Sequence, residues 1–117
     1  MNAQEIANRL TELLGTGRFE DAQKELFHKD ITSVEPEPSN IPVVNGLDNI
    51  LEKGQQFRNS VEAWHGIELS NPIVSGNNIA LGLKVELTFK GQEKSKMDEI
   101  ILYKVEDGKI IHEQFFY

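Results

Sequence analysis

Glu99 alternates with Met97, Ile101, Tyr103 and Val105, and Glu113 alternates with Ile111, Phe115 and Tyr117. Residues two apart share one face of an extended strand, so each carboxyl is set among apolar and phenolic neighbours. A carboxylate on an apolar face is costly unless it is paired or protonated. A carboxyl tuned in that way can take and return a proton, which points to general acid–base chemistry or to the anchoring of a ligand. Each residue also has a plainer reading. Glu113 can belong to a structural pair or to a rim that still sees water, and Glu99 and Tyr103 can simply satisfy one another by hydrogen bonding.

The histidines add less. His65 shares a face with Ile67 and Leu69 and is read as a base that contacts a ligand, or as a structural histidine at a helix-to-strand junction. His112 and Glu113 are adjacent on one strand, so they point to opposite faces and do not ligate one metal. No H-x-H, H-x-x-x-H or E-x-x-H spacing occurs, and neither does a glycine-rich phosphate loop or a G-x-S-x-G turn. No metal and no cofactor are expected. The absence of cysteine excludes disulfides, thiolate nucleophiles and zinc–sulfur sites.

Twelve basic residues against 19 acidic ones give a net charge of −7, and the lysines and arginines are scattered singly. Nucleic acid and anionic membrane surfaces both need clustered positive charge, so neither is expected as a partner. The first ten residues carry no basic segment followed by an apolar run, and no apolar stretch approaches the roughly 20 residues of a membrane helix. A cytoplasmic protein is expected. At 117 residues the chain is one domain, 1–117, long enough to close a single core.

The elements that must position these side chains follow from periodicity. Ala3, Ile6, Ala7, Leu10, Leu13 and Leu14 form one helical stripe over 3–14, with Asn2 and Glu5 as a capping box. A second helix fits 18–27 on Phe19, Ala22, Leu26 and Phe27. A third spans about 47–62 on Leu47, Ile50, Leu51, Gly54, Phe57 and Val61, with Asn45 as its cap. Between them Ile31 to Glu35 reads as a short strand, broken by Pro36, Pro38 and Pro42. From about residue 64 the period falls to two. Two strands flank the turn signal Ser75-Gly-Asn-Asn78, and strands near 95–106 and 109–117 follow, joined by Asp107-Gly108. Leu81, Leu83, Val85, Leu87 and Phe89 share one face. The odd residues of 95–106 form the face that meets the helices. For the last strand the pattern alone leaves both faces equally buryable. The sum is an α+β architecture with four long antiparallel strands.

This order of elements, with F-E-D-A in the second helix, V-E-P after the first strand, N-G before the third helix and D-G-K-I-I-H-E-Q-F-F-Y in the last strand, resembles the SnoaL-like branch of the nuclear transport factor 2-like superfamily. The resemblance spans the whole chain. It implies a cone in which a curved antiparallel sheet wraps around three N-terminal helices and leaves a deep, largely apolar pocket. It places Ile111, Glu113, Phe115 and Tyr117 on the pocket side of the last strand, with Phe116 on the outer side.

The same resemblance sets Glu35 where ketosteroid isomerases carry their general-base aspartate, against the plainer reading of an exposed glutamate beside a proline-rich loop. Their oxyanion donors correspond to Leu10 and Ile101, neither of which can donate, so steroid-type isomerisation loses its charge partner. Glu99 and Tyr103 are the substitute donors within reach. The implied site has Glu35, Glu99 and Glu113 as catalytic candidates. Leu10, His65, Leu83, Val85, Ile101, Tyr103, Phe115 and Tyr117 line it around a small hydrophobic ligand. The expected function is cofactor-independent isomerisation, cyclisation or dehydration, with a non-catalytic ligand-binding or protein-interaction domain as the alternative. Ile100, Leu102, Ile110 and Phe116 are expected to form an outer apolar patch that pairs two copies.

Overall fold

The computed structural model describes residues 1–37, 39 and 42–117. Three helices, α1 (Ala3–Gly15), α2 (Phe19–Leu26) and α3 (Leu47–Ser60), pack on one face of a seven-stranded sheet. The strands are β1 (Phe27–Val34), β2 (Val43–Asn45), β3 (Val61–Leu69), β4 (Ile73–Ser75), β5 (Asn78–Phe89), β6 (Lys94–Glu106) and β7 (Lys109–Phe116). No helix among the described residues is long and apolar enough to cross a membrane. Pro38, expected to interrupt the first strand's ladder, lies outside the described residues.

α1 begins as its sequence dictates. The Glu5 amide donates to Asn2 Oδ1 at 2.9 Å, and the Asn2 amide donates to the Glu5 carboxylate at 3.0 Å. Its stripe of Ile6, Leu10 and Leu13 is fully buried against the sheet. α3 starts differently from expectation. Its cap is Gly46, at φ 89°, and not Asn45. The Asn45 side chain is taken by β2–β1 pairing, where it accepts a 3.0 Å hydrogen bond from the Thr32 hydroxyl.

The sheet order is β2-β1-β7-β6-β5-β3, with β4 on β5. It is mixed and curved rather than purely antiparallel, because β1 runs parallel to β7. That pairing joins segments some 80 residues apart, which no local pattern encodes. β1 is also longer than expected: it starts at Phe27, the residue assigned to the end of the second helix. Ile79, Leu81, Leu83, Val85 and Leu87 of β5 face the helices, as do Ile101, Tyr103 and Val105 of β6.

β-Bulges bend the sheet and re-aim side chains. On β7, Lys104 pairs with His112 but Val105 pairs with Ile110, so Ile111 is one residue too many for its partner strand. The bulge turns Ile110 inward, where it is fully buried, while Ile111 is half-buried beside it. Ile110 therefore does not belong to the outer patch, and Ile111 does not face the pocket, contrary to a strict alternation. Ile100, Leu102 and Phe116 remain exposed on the outer face, with Ile100 and Phe116 directly opposite one another. The Asp107-Gly108 turn between β6 and β7 has φ of 51° and 77°, the positive pair that a two-residue hairpin turn of matching twist requires.

Candidate functional site

The inner faces of helices and sheet leave a cavity of about 360 Å3. Around it the structure gathers Glu35, Glu99, Glu113, Tyr103, Phe115, Tyr117, Ile101, Leu83, Val85 and Leu10. His65 is not among them. A second bulge, on β3, lets Trp64 pair with Leu87 and Gly66 with Glu86, leaving His65 as the extra residue. It is exposed, and its Nε2 lies 2.8 Å from the Thr88 hydroxyl. The bulge instead points Trp64 at the cavity, where its ring stacks near Phe19 (centroids 6.3 Å apart) and leans on Phe57 (6.1 Å).

Glu35 follows β1, and its amide donates to the Pro42 carbonyl at 2.7 Å, closing the loop towards β2. Both its carboxyl oxygens meet donors. Lys53 Nζ lies 3.3 Å from Oε1, and the Tyr117 hydroxyl donates to Oε2 at 2.8 Å. Burial of the Tyr117 hydroxyl and its bond to Glu35 push the phenol up to about 12, although most of the residue is exposed.

Glu113 sits on β7 directly across from Tyr103 of β6. Ser33 of β1 donates to Glu113 Oε1 at 2.8 Å, a contact made possible by the parallel β1–β7 pairing. Burial pushes the Glu113 carboxyl up to about 7, with Glu35 and Glu99 adding to the rise and Ser33 and Lys53 opposing it. Glu99 is also lifted to about 7, by burial and then by the negative Glu35. Burial, reinforced by Glu113 and Glu99, holds the Tyr103 phenol well above its ordinary value. The three carboxyls share the cavity without forming a chelating cluster among the described residues.

Five polar residues of the wall were not singled out from the sequence: Ser33, Ser39, Lys53, Gln23 and Arg58. A signal for three of them exists. Gln23 belongs to the α2 stripe 19-22-23-26 and Lys53 to the α3 stripe 50-53-54-57, so each is a polar residue at an inward helical position. Ser33 shares the Ile31–Glu35 alternation. Arg58 lies one turn after Gly54.

The curved sheet around three helices, enclosing a cavity, is the nuclear transport factor 2-like cone. Within that fold the chain belongs to the SnoaL-like domain family, whose model matches residues 1–117. A Mesorhizobium loti protein of the SnoaL-like polyketide cyclase type is 36% identical, with a TM-score of 0.94 and 100% of each chain covered. An NTF2-like protein from Burkholderia thailandensis shares the fold at 13% identity (TM-score 0.83; 99% of this chain and 90% of that one). So does a protein of ketosteroid isomerase-like fold from Catenulispora acidiphila, in complex with trimethylamine, at 17% identity (TM-score 0.76; 95% and 84%). No curated protein sequence matches the chain.

Proposed function

We propose that the cavity binds a small, mostly apolar carbonyl compound and moves a proton on it without a cofactor, as an isomerase, cyclase or dehydratase does. The observation that carries this reading is the pairing of unlike carboxyls in one apolar cavity. Glu35 is held by two donors, one of them cationic. Glu99 and Glu113 are lifted to about 7, so at neutral pH a large share of each carries a proton. Carboxyls in such unlike surroundings divide the roles of base and acid.

Glu35 removes a proton from the carbon beside the ligand's carbonyl. The negative charge that develops on the carbonyl oxygen is met by a protonated carboxyl, Glu99 first, with Tyr103 as a second donor. Leu10 and Ile101 offer no hydrogen there, so these donors take the place of an oxyanion hole. Glu113, tied to Ser33, supports the charge balance from the strand next door.

The open cavity favours a ligand site over the rival of a pure interaction domain, whose interior its own side chains would fill. A thermal-shift screen of hydrophobic ketones and aldehydes tests this. A ligand at a hundredfold excess over its dissociation constant stabilises by about 2.7 kcal/mol. A broad screen with no shift would favour the interaction domain.

We propose also that two copies associate through Ile100, Leu102 and Phe116. These residues form a contiguous exposed patch on the outer face, and the helices all lie on the inner one.

A further inference from the structure

The α2–α3 wall of the cavity holds an acceptor with nothing to accept. Gln23 Oε1 is buried without a hydrogen-bond partner, the one such side-chain atom among the described residues. A buried polar atom left unpaired is costly and calls for an explanation. Beside it lies Arg58. Its Nη2 is engaged by Glu20 Oε2 at 3.2 Å and Gln55 Oε1 at 3.4 Å, while Nη1 makes no hydrogen bond among the described residues. Gly54 sets the space between the two. A Cβ built on it would stand 3.1 Å from Arg58 Nη1 and 3.7 Å from Gln23 Oε1. Glycine in the middle of a helix weakens it relative to alanine, and here it keeps this notch open.

We infer that Gln23, Arg58 and Gly54 form a subsite for a hydroxyl group on a flat, unsaturated ring. The inference rests on reading the cavity as a small-molecule site. Gln23 Oε1 needs a donor and Arg58 Nη1 needs an acceptor, and a hydroxyl is the smallest neutral group that is both. With the Gln23 amide oriented as it is, a carboxylate would suit Arg58 but set acceptor against acceptor at Gln23 Oε1. An ammonium would suit Gln23 but face the guanidinium. The ring belongs to the adjoining wall, where Phe19 and Trp64 lie at an interplanar angle of 22°. All five residues line the same cavity as the carboxyls, so the subsite orients a ligand whose carbonyl reaches Glu35 and Glu99.

Calorimetric titration with 2-naphthol and 2-methoxynaphthalene tests this, because the ether keeps the ring and the acceptor but lacks the donor. The wild type should prefer the naphthol by about tenfold, the worth of one buried hydrogen bond. Gln23→Leu and Gly54→Ala should each cut that preference to about twofold or less. Gly54→Ala should do so with an unchanged or higher melting temperature, which separates the lost notch from lost folding. The indole N–H resonance of Trp64, the single tryptophan, should move on binding. Equal affinities in the wild type would overturn the subsite. So would a preference that survives Gln23→Leu and collapses in Glu99→Gln, which would place the hydroxyl at the carboxyls and leave the small-molecule reading standing. Failure of both probes to bind would overturn the subsite, while the small-molecule reading would stand or fall on the ketone and aldehyde screen.

Discussion

The Tyr117 hydroxyl donates a 2.8 Å hydrogen bond to Glu35 Oε2, joining the end of β7 to the loop after β1. The protein has two tyrosines, and both phenols lie above the ordinary range: Tyr117 at about 12, and Tyr103 held well above its ordinary value by burial. A phenolate absorbance titration of the folded protein should therefore show no tyrosine ionising near 10. A step at that pH would place the Tyr117 hydroxyl in free solution. Tyr117→Phe should cost no more than about 1 kcal/mol, since the bond is exposed.

Glu113→Gln should stabilise the protein at pH 8 and change little at pH 4. The folded carboxyl titrates at about 7 and the unfolded one at the ordinary glutamate value of 4.5, so the unfolded chain loses its proton first as pH rises. The favourable protonated state is fully present below the unfolded value and is lost as pH climbs through the folded one. A shift of this size corresponds to about 3 kcal/mol at pH 8. The glutamine carbonyl can still accept from Ser33, so the substitution removes charge and keeps shape. Denaturant melts between pH 4 and 8 measure the difference. A glutamine variant less stable at pH 8 would show that Glu113 is held as a carboxylate.

Ser33→Ala should push the Glu113 carboxyl further up, because the serine bond is the leading influence that lowers it. The loss of a buried donor should also cost about 1–3 kcal/mol. A carbon-13 NMR titration of the glutamate carboxyls reads the first effect directly. No movement of the Glu113 midpoint would mean that the bond contributes nothing to its charge state.

Leu102→Lys should separate the proposed dimer while leaving the fold intact, since Leu102 is exposed on the outer face. Light scattering at micromolar concentration should report a dimer for the wild type and a monomer for the variant. A monomeric wild type would remove the proposal.

How far these residues could be found from the sequence depends on how local their causes are. The α1 capping box, the Asp107-Gly108 turn and the inward faces of β5 and β6 are written in spacings of two to four residues, and they appear as expected. Ile110, Ile111 and His65 are misplaced by strict alternation because a bulge adds one residue without any local mark. The Ser33–Glu113 bond depends on β1 lying parallel to β7, a pairing across 80 residues. Lys53 and Gln23 were legible in principle, as polar residues inside apolar helical stripes, but long polar side chains at such positions ordinarily reach past the core to water.

The central claim is that Glu35 takes a proton from a carbon beside a carbonyl. Ketones that raise the melting temperature, incubated with the protein in deuterated water near pH 7, provide the most direct measurement. Proton NMR of the ketone should show deuterium entering the α-position faster than in protein-free buffer, and Glu35→Gln should return the rate to that of buffer while the ketone still binds. Exchange as fast in Glu35→Gln as in the wild type, or no exchange above buffer for any bound ketone, would contradict the account.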